Sequence, residues 1–262
     1  MIINPYSFGG LDPDAQSFLT ASGITDSTIS SAINTLVTTM KSDGIWTKMK
    51  ALYPFVGGTA FSHKWNLKDP QDTNAAFRLS FIGGWTHNAN GAKPNGTNGY
   101  AETFFNPSLH SLQNSHHFSV YLKQSEIDKI PFGATSIGVG LNGGVIIPRL
   151  SGQTYYGINQ NGYSPTYGET NSIGFYVVTR TASNVSKVFK SNILKATSTF
   201  VSNTPQNVTY YIGHWNTLGS VTYYSASENA FTSIGEGLND TEAANFYTAV
   251  QAFQTTLNRQ IV

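Results

Sequence analysis

The chain has 262 residues, no cysteine and a net charge of +1. That length suits one large β domain, or one with a small appendage, and its core must stand without disulfides. Charged residues make up only 11%, against roughly 25% in an ordinary soluble domain; this charge balance gives no case for nucleic acid, and no apolar run approaches the ~20 residues of a membrane-spanning helix.

Residues 1–10 read as an irregular arm, and Met1-Ile2-Ile3-Asn4-Pro5 lacks the basic start and long apolar stretch of an export signal. Asp12-Pro13-Asp14 then opens a helix, with Asp12 as cap and Pro13 in the first turn, and Gly23 closes it. A second helix begins near Thr25 or Asp26. Its stripe is Ile29, Ile33, Leu36, Val37 and Met40, and Gly44 ends it. Residues 45–52 have the spacing of a short third helix, stopped by Pro54.

From Tyr53 the chemistry is that of strands, expected at 75–82, 117–122, 135–141 and 144–147. Residues 88–100 and 152–168 read as polar loops, the second as a weak hairpin at most. Further strands are expected at 173–180, 185–189, 208–212, 221–225 and 230–234. A closing helix follows at 241–258, with Asn239 or Asp240 as cap and Glu242 in the first turn. Its stripe is Phe246, Val250, Phe253 and Leu257. Strands cannot bury one face without a second layer, so this many imply a sandwich or a barrel.

Three segments carry a family resemblance. Residues 174–192 (GFYVVTRTASNVSKVFKSN) resemble the paired strands of concanavalin A-like, laminin-G-type jelly rolls, and 210–216 (YYIGHWN) resemble the next strand. Residues 233–260 (SIGEGLNDTEAANFYTAVQAFQTTLNRQ) are similar to the sheet-to-helix ending of such domains in tailed-phage virion proteins, and 55–106 also look like those proteins. The resemblance implies a mainly β fold, a two-sheet antiparallel jelly-roll sandwich with N-terminal helices and a docked C-terminal helix. On this reading, residues 1–52 are an arm and helical anchoring segment, and 53–262 the jelly roll with its closing helix at 240–258.

The resemblance also implies a setting: a virion protein assembled in the host cytoplasm, in contact with other virion proteins and with further copies of itself. The expected role is structural and adhesive, with a host-surface carbohydrate or a partner protein as the target. Two rivals stay open, a decoration protein without an external ligand and a carbohydrate-active enzyme. No cofactor and no membrane insertion are expected.

The residues of chemical interest are few. Glycoside hydrolases on this type of fold often carry Glu-x-Asp-x-x-Glu on one strand. Here Glu126-Ile127-Asp128-Lys129-Ile130-Pro131 lacks the second Glu, and a retaining glycosidase needs two carboxyls about 5–5.5 Å apart. Residues 123–129 therefore read as a solvated turn, no catalytic residue is assigned, and the chain is expected not to be an enzyme. His116 and His117 are adjacent on a strand, so they point to opposite faces and do not chelate together; no metal site is expected. The binding candidates are two groups that join an aromatic face to amide donors: Trp85, His87 and Asn88, and His214, Trp215 and Asn216. The structural alternative for the tryptophans, burial between the sheets, is the favoured one.

Overall fold

In the computed structural model, residues 10–135, 143–166, 168–217 and 223–261 are described. The expected start signals hold the first two helices. The Asp12 carboxylate accepts from the Asp14 amide at the head of α1 (Pro13–Ser22), and Gly23 closes that helix in the left-handed region at φ 67°. Asp26 accepts from Ile29 N and caps α2 (Ser27–Ser42).

A 3-10 turn at Trp46–Lys48 leads into β1 (Met49–Tyr53), then α3 (Ala60–His63), β2 (Ser80–Ile82), β3 (Trp85–Asn88), β4 (Gly91–Pro94), β5 (Tyr100–Glu102) and α4 (Pro107–His110). The middle of the chain gives β6 (His116–Leu122), β7 (Phe132–Thr135), β8 (Gly143–Leu150), β9 (Gln153–Gln160) and β10 (Ser164–Pro165). The last part gives β11 (Gly174–Ala182), β12 (Val185–Lys190), β13 (Ile193–Ser198), β14 (Tyr211–Ile212), β15 (Trp215–Asn216), β16 (Asn229–Gly235) and α5 (Asp240–Thr256).

Among the described residues the strands form two open sheets of eight. Sheet 1 runs β13-β12-β11-β6-β16-β4-β3, with β1 also on β16. Sheet 2 runs β10-β9-β8-β7-β14-β5-β2, with β15 on β7. Pairing is antiparallel apart from β15 with β7.

Alternation decides the layers. In β6, Phe118, Val120 and Leu122 face sheet 2, where they meet Phe132, Ala134, Ile146, Tyr156 and Tyr210. Tyr121, on the other face of β6, packs with Phe175, Phe231 and the helices. All seven residues of β6 and of β16 are buried, because sheet 1 is covered on both sides. The chain is a β-sandwich with a helical layer on one outer face.

That layer disposes of the α2 stripe. Ala32, Ile33, Leu36, Val37 and Met40 are buried in one cluster with Phe18 of α1, with Phe246, Val250 and Phe253 of α5, and with Phe175 and Phe231 of sheet 1. Ile29, the first residue of the expected stripe, is half-buried against the same cluster, so the stripe packs on this chain's own sandwich. A capping box at Asn239 and Glu242 starts α5. Arg259, buried just after the helix, donates to the carbonyls of Pro54 and Phe55, just after β1, and of Ala230 in β16, and ties the segment after α5 to sheet 1.

Several expected elements differ. Residues 45–52 are a turn and a strand, not a third helix. Their apolar spacing mimics a helix because the register shifts between Met49 and Ala51, which places Met49 and Leu52 against the helices although they lie three apart. The expected division at 52/53 falls inside this strand. Residues 75–82 hold a 3-10 turn at Asn74–Ala76 and only the short β2. The loop at 88–100 contains β4, whose Gly91 lies so close to β16 that a Cβ would sit 2.2 Å from the Asn229 carbonyl. The loop at 152–168 is largely β9, with Tyr156 and Ile158 in the core. Of 208–212 only Tyr211–Ile212 is a strand, and β13 was not expected at all. In the closing helix Phe246, Val250 and Phe253 are buried as expected, while Leu257 at its end is half-buried. Residues 1–9 of the expected arm at 1–10, the greater part of the strand at 135–141 and the start of that at 221–225 lie outside the described residues; Tyr223 to Ser225 carry no strand.

Candidate functional site

The outward side of sheet 2 carries an aromatic cluster. Ala101 and Ile212 turn into the sandwich core, so their neighbours Tyr100, Glu102 and Tyr211 turn outwards. Register places Tyr211 opposite Glu102. The rings of Tyr100 and Tyr211 stack at 4.6 Å between centroids. His214, just beyond β14, lies 6.1 Å from Tyr100 and 6.3 Å from Tyr211, and stacks on Tyr224 at 4.0 Å. Tyr100, Glu102, Tyr211 and Tyr224 are half-buried, so each keeps part of its surface in water.

Polar groups frame these rings. Thr209 Oγ1 donates to the Glu102 carboxylate at 3.2 Å, and the Asn216 amide holds the Thr209 carbonyl at 2.8 Å. Burial, then the Glu102 charge, push the Tyr211 phenol up to about 12. Tyr100 is raised by the same two causes in the same order. Both hydroxyls are therefore neutral donors at ordinary pH.

Of the six residues singled out in the sequence, His214 joins this cluster and Asn216 supports it from below. Trp215 faces the same side but packs with Ile130, Val145, Ile147 and Tyr163 in a small separate cluster. The first group lies apart, on the edge strand β3. Trp85 packs against the sandwich core, and its indole N–H donates to the carbonyls of Ile82 and Tyr100. His87 Nδ1 meets His63 Nδ1 at 2.9 Å, a contact that needs one proton between the two nitrogens. Burial lowers His87, and burial together with His87 and Arg259 lowers His63 to about 3, so both rings stay neutral. The Asn88 amide donates to Glu228 at 2.9 Å. These are structural contacts, and the two groups do not form one site.

Sequence reasoning missed Tyr100, Glu102, Tyr211 and Tyr224. A signal was available in part: of the adjacent pair Tyr210-Tyr211, only one ring of a strand can enter the core, and Tyr210 does. Glu126 also departs from expectation. It is half-buried, and its carboxylate accepts from Ser225 Oγ, Ala226 N and Ser227 N, holding the loop before β16. His116 and His117 do face opposite sides. His116 packs on Phe105 and Tyr210, and His117 on Phe246 and Ser233. Among the described residues, no three His, Asp or Glu side chains converge as metal ligands.

No protein-family model matches the chain, and no curated protein sequence matches it significantly. Solved structures do share its fold. A Trypanosoma rangeli sialidase in complex with 2,3-difluoro-KDN superposes with a TM-score of 0.54 at 14% identity, over 83% of this chain and 39% of that one. The sialidase from the same organism in complex with sialic acid gives 0.53 at 12% identity, over 82% and 38%. Domain 4 of a GH43 extracellular arabinanase from Geobacillus stearothermophilus, in complex with arabinotriose, gives 0.48 at 14% identity, over 78% and 98%. The chain thus spans about two fifths of the sialidase chains it resembles. At these identities the likeness to the two sialidase chains is one of fold, a β-sandwich.

One expectation is overturned. The exclusion of enzymes rested on the missing second Glu near Glu126, but this fold occurs within sialidase chains. The absent carboxylate rules out one arrangement of catalytic groups and does not rule out an enzyme.

Proposed function

We propose that the chain is a glycan-binding sandwich of the concanavalin A-like jelly-roll type, displayed on a tailed-phage particle as an adhesive component. Its contact surface is the cluster of Tyr100, Tyr211, His214 and Tyr224 with Glu102. The observation that carries this reading is the half-exposed ring cluster beside a carboxylate and a hydroxyl, on a sheet side that has no helical layer among the described residues. Sugars present apolar C–H faces to aromatic rings and hydroxyls to polar groups, so this surface has the required chemistry. The fold neighbours hold sialic acid and a related sugar acid, which is in keeping with a saccharide ligand. The virion setting, with other virion proteins and further copies of the chain as partners, rests on the sequence resemblance at 233–260 and 55–106.

The test is a glycan array probed with the wild-type chain and with Tyr211→Ala, together with a sialoside turnover assay. Binding that falls about tenfold or more in the variant, an effect of roughly 1.4 kcal/mol, supports the reading. Binding unaffected by Tyr211→Ala moves the surface elsewhere. Imaging of labelled protein on intact phage particles tests the setting.

A further inference from the structure

The charge of this same surface points to the class of glycan. We infer that the face takes saccharides without negative charge, neutral or amino-bearing, and disfavours sialylated and other anionic ones. The inference rests on the glycan-binding reading above and deepens it.

Glu102 sits on β5, between β14 and the edge strand β2, on the outward face of sheet 2. Its carboxylate lies beside Tyr211, across the ladder, and holds the Thr209 hydroxyl at 3.2 Å. Glu102 forms no ion pair among the described residues; the pairs present join other carboxylates to lysines or Arg78. It is thus a half-buried carboxylate with no ion-pair partner among the described residues, next to the rings on which a sugar would stack. Its remaining acceptor sites suit two adjacent sugar hydroxyls or an ammonium, which form strong charge-assisted hydrogen bonds to a carboxylate. A ligand carboxylate placed there would meet a like charge in a partly desolvated site, where such repulsion is worth a factor of about ten or more. The sugar acids held by the fold neighbours are therefore the wrong ligands for this face.

The experiment compares one set of glycans before and after desialylation on the unmodified full chain, and repeats it with Glu102→Gln. Desialylated forms are expected to bind at least about tenfold more tightly. Glu102→Gln is expected to weaken neutral binding and to shrink the preference. Equal or stronger binding of the sialylated forms would overturn the inference while leaving glycan binding intact. Binding of neither form, across an array that includes amino sugars, would overturn both. The wild-type comparison decides the matter even if the variant folds poorly.

Discussion

Phe246→Ala tests the docking of α5 on sheet 1. Phe246 is fully buried, with ring centroids 5.4 Å from Phe175, 6.0 Å from Phe231 and 6.0 Å from His117. Truncating a buried Phe costs about 3–5 kcal/mol through lost transfer energy and the cavity left behind. The upper part of that range applies here, because three edge-to-face partners lose their contact and each such pair is worth about 0.5–1.5 kcal/mol beyond burial. The cavity also lies between a helix and a sheet that is packed on both sides, so its walls have little room to collapse. For a domain of this size the expected fall in melting temperature is roughly 8–20 °C. Denaturant unfolding followed by tryptophan fluorescence gives the free energy. Leu109→Ala is the control, since Leu109 is 73% exposed and such sites change stability by about 0.5 kcal/mol or less. A loss below about 1 kcal/mol for Phe246→Ala, with the control unchanged, would refute the docked-helix packing.

Other predictions concern buried polar groups. Burial lowers His63 and His116 to about 3 and His117 to about 4. The unfolded chain takes up protons on these rings near pH 6.5 while the folded chain does not, so stability present above pH 6.5 is lost as pH falls towards about 4. The slope is about 1.4 kcal/mol per pH unit for each ring once the unfolded form is fully charged; urea midpoints at pH 7.5, 5.5 and 4.5 should fall steadily, and a flat series would refute neutral burial. Glu126→Ala leaves the Ala226 and Ser227 amides without their acceptor and should cost about 1–3 kcal/mol. Faster amide exchange confined to 223–228 is the expected signature, and unchanged exchange there would remove the structural role of Glu126.

Much of the helical part was legible because its signals are local. Asp12, Gly23, Asp26, Asn239 and Glu242 cap helices through atoms a few residues away, and a stripe at helical spacing marks a buried face wherever that face docks. Strands with clear alternation or continuous apolar runs, β6, β11, β12 and β16, were legible for the same reason. The sequence could not say that the α2 stripe closes on α5 and sheet 1 rather than on another subunit, because an apolar face carries no address for its partner.

The tertiary structure decided the rest through pairings of high sequence separation. Met49 to Tyr53 became a strand because β16, nearly two hundred residues later, supplies its ladder, and a register shift hid the period. Residues 153–160 became a strand because pairing with β8 and the core beneath it outweigh a polar composition. The binding surface was illegible in the same way. Tyr100, Glu102, Tyr211 and Tyr224 come from segments more than a hundred residues apart, and two antiparallel pairings set which of their neighbours turn inwards. Local sequence signals marked where α1, α2 and α5 begin, and the number of strand-like segments required that they layer. Which side chains meet on the outward face of sheet 2 depends on register between distant strands, and that is settled only when the sandwich closes.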